Sequence, residues 1–378
     1  MKLAYICNEY PPAPGGGIRT FVHTIAHGMK DAGHQVSVVG WGKTPGERDD
    51  GGIRVVTLPE SKTRGIAWWV NRRRICRCLK REAASGNIDI VETPEFQGPL
   101  ISTIGETPVV VRLHLSAAAI AKHAGKEMRG LTRFCEKRTL SLFRSWIAVS
   151  DYALELTKDT FALTAQKTVT IYCPVSPPGD TDPEVPNLPA WFVLYAGGTV
   201  SRRKGAYLLA EAARKFLSSH PDLHLVFIGP LETEEGIAAD DRIWTLVGTE
   251  LQSRLHFPGR LSRDAVLACM KRAAVFAYPS TLETFGLVTA EAMLQGCPVV
   301  VCDTGPCPEF IEHEKTGLLV TPNDTNALSA AVNRLLDNRV FSQRLADAGK
   351  EHIGNRFTLS RCVADTLSFY EKVIEEQE

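Results

Sequence analysis

Glu283 and Glu291 stand eight residues apart in the segment Pro279-Ser280-Thr281-Leu282-Glu283-Thr284-Phe285-Gly286-Leu287-Val288-Thr289-Ala290-Glu291. The apolar run before it, 275–278, reads as a strand, and a helical pattern opens near Phe285. A helix rises 1.5 Å per residue, so Glu291 lies about 9 Å along it. That length matches a pyrophosphate reaching from a sugar at one end to a ribose at the other. Glu283 would then accept hydrogen bonds from sugar hydroxyls and Glu291 from the ribose diol. The N–H groups of Phe285, Gly286 and Leu287 would hold the phosphates between them. The same carboxylates also read as a helix-terminal charge and a solvated face, and this segment alone does not choose.

Two other segments carry anion chemistry. In Gly197-Gly198-Thr199-Val200-Ser201-Arg202-Arg203-Lys204-Gly205, three cations follow a glycine pair and precede a helix. They suit the neutralisation of a diphosphate, or form a solvated basic turn. Near the N-terminus, Gly15-Gly16-Gly17 opens a helix and is either an anion-facing loop or a flexible turn. It is not G-x-G-x-x-G, so a nicotinamide cofactor is not indicated. His114 closes an apolar strand, where a histidine serves structure as readily as a site.

Short apolar runs alternate with helical periods along the chain. Strands are expected at 3–7, 35–40, 53–58, 88–92, 109–114 and 145–150, with a helix at 18–32. The alternation resumes with strands at 192–196, 223–229, 254–257, 275–278 and 298–302, and helices at 206–217, 263–272, 285–295 and 326–336. Such βαβ alternation predicts parallel sheets covered on both faces, and ligands then bind outside the carboxyl ends of the strands. Pro174, Pro177, Pro178, Pro183, Pro186 and Pro189 forbid a helix between the halves. The expected organisation is a Rossmann-like domain at 1–175, a Pro-rich linker at 176–189 and a second Rossmann-like domain at 190–355. A C-terminal helix at 356–378 could pack on either.

Composition narrows the class. The 378 residues are 44% apolar and 23% charged, ordinary for two buried cores. Net charge is zero, but residues 1–175 hold 24 Lys+Arg against 16 Asp+Glu, and the remainder 19 against 27. The neutral whole argues against a nucleic-acid binder. No run of 18 apolar residues exists to span a membrane. The ten cysteines include no C-x-x-C pair and no histidines group with them, so we expect reduced thiols, a cytoplasmic protein and no metal. Residues 66–81 combine Trp68 and Trp69 with six cations. We read them as a packed amphipathic helix, with contact to anionic lipid at the inner face of the membrane as the second reading.

The Glu283-x7-Glu291 spacing resembles that of retaining glycosyltransferases of family 4, which have the GT-B fold: α/β, two Rossmann-like domains with a deep interdomain cleft. Glu9-Tyr10-Pro11-Pro12 with the glycine loop, Arg203-Lys204-Gly205, Phe257-Pro258-Gly259-Arg260, Gly296-Cys297-Pro298, Pro308-Glu309 and Thr316-Gly317-Leu318 agree in order and spacing. The resemblance implies transfer of a hexose-type sugar from a nucleotide-sugar donor to an acceptor hydroxyl, in cell-surface polysaccharide or glycoconjugate synthesis. The acceptor would be a glycan, a lipid-linked sugar or a small glycoside. It implies His114, Arg203, Lys204 and Glu283 as catalytic residues. It also implies Gly16, Gly17, Gly198, Thr199, Arg202, Gly259, Arg260, Leu261, Thr284, Phe285, Gly286, Leu287 and Glu291 as donor-binding ones. Glu9, Tyr10, Glu95 and Arg112 fall on the acceptor side.

The expected mechanism is front-face and metal-independent, with no cofactor beyond the donor. Two departures stand out. Thr199 occupies the usual arginine position, leaving Arg202 or Arg203 to supply the guanidinium, and Cys173-Pro174 with Ser176 replaces the usual hinge Asn-Pro and Asp. Asp180-Thr181-Asp182 resembles a metal-binding DxD of the other glycosyltransferase fold, but in the connector we assign it no role. Two other functions fit the same residues: a nucleotide-sugar epimerase of GT-B fold and a catalytically silent nucleotide-sugar-binding partner.

Overall fold

Unbroken apolar strands alternating with one-faced helices bury both only when the helices cover the two faces of a parallel sheet. The chain does this twice. The computed structural model describes residues 1–12, 16–179 and 183–376. It divides into unit 1, Met1–Pro174 with Leu359–Glu378, and unit 2, Val175–Thr358. Gly15 and Asp180-Thr181-Asp182 lie outside the described residues.

Unit 1 runs β1 (Lys2–Ile6), α1 (Gly17–Asp31), β2 (Gln35–Gly42), β3 (Gly46–Asp50), β4 (Ile53–Pro59), α2 (Ala67–Ala84), β5 (Ile90–Pro94) and β6 (Val109–Leu113). It continues α3 (Ala117–His123), α4 (Leu131–Leu142), β7 (Ser145–Ala148), α5 (Asp151–Phe161) and β8 (Lys167–Thr170). The sheet order is β3-β4-β2-β1-β5-β6-β7-β8. Among the described residues of this sheet only β3 is antiparallel, on β4. Residues 46–50, GERDD, hold no apolar side chain, so hydrophobic alternation could not reveal this strand. Its hairpin turns at Gly51 and Gly52, whose φ values are 61° and 91°. A two-residue turn with both φ positive matches the twist of the paired strands. Beneath the sheet, Ile6, Ile75, Leu79, Val91, Val111, Leu113, Leu140 and Trp146 share one core.

Unit 2 runs β9 (Phe192–Ala196), α6 (Ala206–Ser219), β10 (His224–Ile228), the small hairpin β11 (Thr233–Glu234) and β12 (Ile237–Ala238), α7 (Ala239–Val247), β13 (Leu255–Gly259) and α8 (Arg263–Arg272). It continues β14 (Val275–Tyr278), α9 (Leu287–Leu294), β15 (Val299–Cys302), α10 (Cys307–Phe310), β16 (Leu318–Val320), α11 (Thr325–Asp337) and α12 (Arg339–Arg356). The order β13-β10-β9-β14-β15-β16 is wholly parallel. β9 is buried at all five positions.

The proline-rich segment is tied down rather than free. The Val175 N–H donates to the Phe357 carbonyl at 2.8 Å, and the Ser176 carbonyl accepts from Arg263 at 2.7 Å. The described part of the expected linker therefore belongs to unit 2. The last helix, α13 (Leu359–Glu375), belongs to unit 1. It crosses α1 at Gly28, where an added Cβ would meet Val363 Cγ2 at 2.8 Å. Val363, Thr366, Phe369, Tyr370 and Val373 form its buried stripe.

Candidate active site

In unit 2 the strand order reverses direction between β9 and β14, so the loops that follow these strands leave the carboxyl edge side by side. Lys204, from the first loop, places Nζ 2.6 Å from Oε1 of Glu283, from the second. The pair is mostly buried, with side-chain exposures of 16% and 15%. The Tyr278 hydroxyl lies 3.1 Å from the same Glu283 oxygen and 3.1 Å from the Gly197 carbonyl. Burial, and then the Glu283 charge, hold this phenol protonated. A Cβ on Gly197 would sit 2.0 Å from the Tyr278 ring, so glycine is what allows Tyr278 to reach Glu283.

The helix after Glu283 begins later than its sequence predicts. Phe285 is not helical; its ring packs against Phe310 and Phe357, with centroids 5.4 and 5.5 Å away. That packing pins the loop. Gly286, at φ 87°, turns the chain into α9. The N–H groups free to face an anion therefore shift from Phe285 and Gly286 to the first turn, Leu287–Thr289. Gly286 provides no side-chain cap for them, whereas Ser262 caps α8 and Asp324 caps α11. Thr284 lies in the loop between Glu283 and Phe285.

Glu291 comes one turn into α9 and is only 8% exposed, so it is no solvated face. Arg263 on α8 donates to its Oε1 at 2.8 Å. Burial raises the carboxyl pKa and Arg263 opposes that shift.

The two candidate arginines separate. Arg202 donates to Glu234 at 3.2 Å and lies over the Tyr207 ring at 5.1 Å. Arg203 is exposed, forms no ion pair among the described residues, and its charge is felt by the buried phenols of Tyr195 and Tyr278. Thr199 is spent on the turn itself: its carbonyl accepts from Tyr195 at 3.0 Å. Gly198, beside it, borders open space. Gly259 ends β13 and its carbonyl accepts the Gly229 N–H at 2.9 Å. Arg260 and Leu261 follow at the same sheet edge, two strands from β9.

In unit 1 the corresponding reversal lies between β1 and β5. Glu9 follows β1, is exposed, and accepts the Gly16 N–H at 3.1 Å ahead of α1. A carboxylate thus already occupies the anion-facing end of this helix. Gly16 and Gly17 border open space.

Three of the expected acceptor-side residues turn inward. Arg112 is 0% exposed and makes two 2.8 Å bonds to Glu92, because its position on central strand β6 faces the layer of Phe21 and Thr366. Tyr10 is buried and donates to Asp50 at 2.8 Å. Glu95 is 0% exposed and accepts the His114 N–H at 2.9 Å. His114 itself is half-buried, edge-on to Phe21 at 5.1 Å. In the loops after β5 and β6 two non-glycine residues hold left-handed φ, Gln97 at 60° and Leu115 at 71°. Strain of this kind persists only where the surroundings impose it.

Two family models divide the chain between them: Glycosyltransferase Family 4 over residues 15–177 and Glycosyl transferases group 1 over residues 182–352. The chain belongs to the group 1 glycosyltransferases of family 4. Among similar proteins is the phosphatidyl-myo-inositol mannosyltransferase of Mycobacterium leprae, 26% identical, with 99% of this chain and 97% of that one covered. Sucrose-phosphate synthase from Thermosynechococcus elongatus matches 99% of each chain at TM-score 0.77 and 20% identity. Anabaena HepE in complex with UDP-glucose matches 97% of this chain and 99% of its own at TM-score 0.72 and 20% identity. The fold is GT-B. Among the described residues no helix is long and apolar enough to cross a membrane.

Three residues that position the loops of this glycosyltransferase's candidate site carry no motif signal: Tyr278, Arg263 and Glu136. Glu136, buried on α4, accepts the N–H groups of Gln97, Ala117 and Ala118 at 3.0, 2.7 and 3.1 Å. It thereby braces the loops after β5 and β6 together. Its partners are 18 to 39 residues away, beyond any local pattern.

Buried Glu95 and half-buried His114, beside these loops, are expected to give the glycosyltransferase opposed pH dependences of stability. Burial pushes the Glu95 carboxyl from 4.5 up to about 8. Burial, and then Arg112, push the His114 imidazole from 6.5 down to about 3. The Glu95 contribution to stability is complete below pH 4.5 and is lost as pH rises through 8. The His114 contribution is complete above pH 6.5 and is lost as pH falls through 3. Glu95 alone of the two therefore slopes between pH 6.5 and 8. Glu95→Gln keeps an acceptor for the His114 N–H but has no proton to release. The stability lost over that interval should shrink in the variant by up to about 2 kcal/mol, measured as urea midpoints at the two pH values. An unchanged slope rejects a protonated Glu95.

Proposed function

We propose that this glycosyltransferase moves a hexose-type sugar from a nucleoside-diphosphate sugar to an acceptor hydroxyl with retention at the anomeric carbon. The observation that carries the reading is the 2.6 Å Lys204–Glu283 pair beside the uncapped first turn of α9, at the strand-order reversal of unit 2. The UDP-glucose of the Anabaena HepE structure supports the donor class. Glu283 accepts from sugar hydroxyls. Lys204, Arg203 and the Leu287–Thr289 N–H groups take up the diphosphate charge, and Glu291 accepts from the ribose.

In the transfer, the bond from the anomeric carbon to the diphosphate oxygen breaks and the bond to the acceptor oxygen forms on the same face. The acceptor's proton passes to the departing diphosphate. Charge grows on that diphosphate as the bond breaks, so fixed cations and helix N–H groups aimed at it lower the barrier. We assign the step no resident cofactor. We place the reaction in cell-surface polysaccharide or glycoconjugate synthesis.

Thermal shift with UDP-, GDP- and ADP-sugars selects the donor, and NMR of the product reads its anomeric configuration. Inversion rejects the mechanism. Isomerisation of donor incubated alone would instead make the chain an epimerase. Arg203→Ala should lower kcat by about 10- to 100-fold, because the lost cation faces the leaving group. Arg202→Ala, whose guanidinium is engaged by Glu234, should stay within about threefold. Equal losses in the two variants reject the assignment.

The acceptor end of the reading includes contact with an anionic membrane surface through α2. Its inner face buries Ile75, Cys76, Cys78 and Leu79, and Arg72 donates to the Gly98 carbonyl at 2.7 Å. Arg73, Arg77, Lys80, Arg81 and Trp69 remain exposed. The phosphatidyl-myo-inositol named for the Mycobacterium leprae relative supports a lipid-linked acceptor. Cosedimentation should then rise severalfold with the anionic lipid content of the vesicles. Binding that ignores lipid charge argues for a soluble acceptor.

A further inference from the structure

His23 and His27 lie four residues apart on α1, and such a spacing stacks two side chains on one helix face. Their rings are 4.5 Å apart between centroids. Opposite them stands Asp50, the last residue of β3, whose Oδ2 is 3.7 Å from His23 Nε2 and 3.4 Å from His27 Nε2. One nitrogen of each histidine and one oxygen of Asp50 all lie within 4.8 Å of one another.

These spacings are those of a metal site. Ligands about 2.1 Å from a tetrahedral zinc ion are separated from each other by about 3.4 Å. Both edges that involve Asp50 already have that length to within a few tenths of an ångström. The third edge closes with a small ring rotation, since both imidazoles are partly exposed. Imidazole with carboxylate suits zinc and its neighbours and does not suit magnesium or calcium.

The backbone holds the three ligands in place beforehand. Asp50 pairs with Ile53 across the two-glycine turn, so its direction is set by the hairpin. A Cβ on Gly51 would come 3.4 Å from His27 Cε1, which puts the turn against the histidine. The Tyr10 hydroxyl donates to Asp50 Oδ2 at 2.8 Å, and the Arg48 guanidinium lies 3.5 Å from the other oxygen, Oδ1. Outer partners of this kind orient a ligating carboxylate. The nearby guanidinium repels a bound cation and weakens its binding.

We propose that His23, His27 and Asp50 bind a divalent transition-metal ion of the zinc type, which ties the β3–β4 hairpin to α1. Three protein ligands leave one position for water. The ion bridges the antiparallel strand β3 to the helix that follows β1, and through Asp50 it reaches Tyr10 in the intervening loop.

The test uses the full chain after dialysis against chelator. Calorimetric titration with zinc chloride should show one equivalent bound, and cobalt chloride should develop the visible absorption of tetrahedral nitrogen–oxygen coordination. His23→Gln, His27→Gln and Asp50→Asn should each weaken zinc at least tenfold, and the double histidine variant should lose the cobalt spectrum. Circular dichroism confirms that each variant is folded. The glutamine and asparagine substitutions keep side-chain shape, so loss of binding in a folded variant is attributable to the ligand. No saturable uptake by the wild-type chain overturns the proposal. So does uptake unchanged in the double variant, which would place the metal on the buried thiols instead.

Discussion

Glu283→Gln and Lys204→Met should each lower kcat by about 10²- to 10³-fold, with a smaller change in KM. In the proposed reaction Lys204 faces the charge that grows as the diphosphate leaves, and one such fixed electrostatic contact is worth about 3–4 kcal/mol of barrier. The effect falls on kcat because the ground-state donor presents less charge at that oxygen than the transition state does. Glu283→Gln keeps an oxygen for Tyr278 but removes the charge that holds Lys204 at 2.6 Å.

The pair also has a structural side, and the two can be separated. Each single substitution leaves a mostly buried charge without its partner, at a cost of about 1–3 kcal/mol in stability. The double variant Lys204→Met/Glu283→Gln leaves no orphan charge. It should regain most of that stability while remaining inactive, an outcome that unfolding curves and kcat report independently. Near-normal turnover in both single variants would reject the site.

Arg112→Leu should destabilise unit 1 by about 3–5 kcal/mol, the range for breaking a buried ion pair from one side. Arg112 is 0% exposed, and its Nε and Nη2 each bond to a Glu92 oxygen at 2.8 Å. Burial opposes the guanidinium charge, and Glu92 overrides it. Without Arg112, the Glu92 carboxylate would keep the Tyr370 hydroxyl, which donates to it at 2.6 Å, but would lose the charge that balances its own.

Removing both charges in Arg112→Leu/Glu92→Leu should cost clearly less than Arg112→Leu alone, because no charge is then buried unpaired. Urea unfolding of the three chains measures the difference. A single-variant cost below about 1 kcal/mol would mean that water reaches this site. The contact matters for topology too, since Thr366 and Tyr370 come from α13 and give the C-terminal helix polar anchors in the first unit.

Much of the frame was readable in the residues. Hydrophobic patterning located β1, β2, β4, β6 and β9: β1, β6 and β9 are buried along almost their whole length and are mostly apolar, and β2 and β4 carry Val36, Val38, Ile53 and Val55 at buried positions. The same logic failed at β3, which lies at the sheet edge with no apolar residue. It also misplaced the start of α9. Periodicity cannot distinguish a helical Phe285 from one that leaves the helix to pack on Phe310 and Phe357. Arg112 was expected on the acceptor side, and no local pattern separates a solvent-facing arginine from a buried, paired one. Only the pairing across β5 and β6, with α13 laid over them, reveals that Glu92 neutralises it.

By itself, then, the order of residues determined two doubly wound units, the cation turn after β9 and the glutamates around α9, since these depend on periods and spacings within about ten residues. Tertiary structure alone decided which arginine stays free, that Tyr278 and Gly197 support Glu283, that Arg263 claims an oxygen of Glu291, and that Asp50 meets two histidines of α1. Each of those facts joins side chains from separate elements. Their meeting depends on strand order and on which side of the sheet a helix covers, quantities set by the packing of the whole unit and by no local run of the chain.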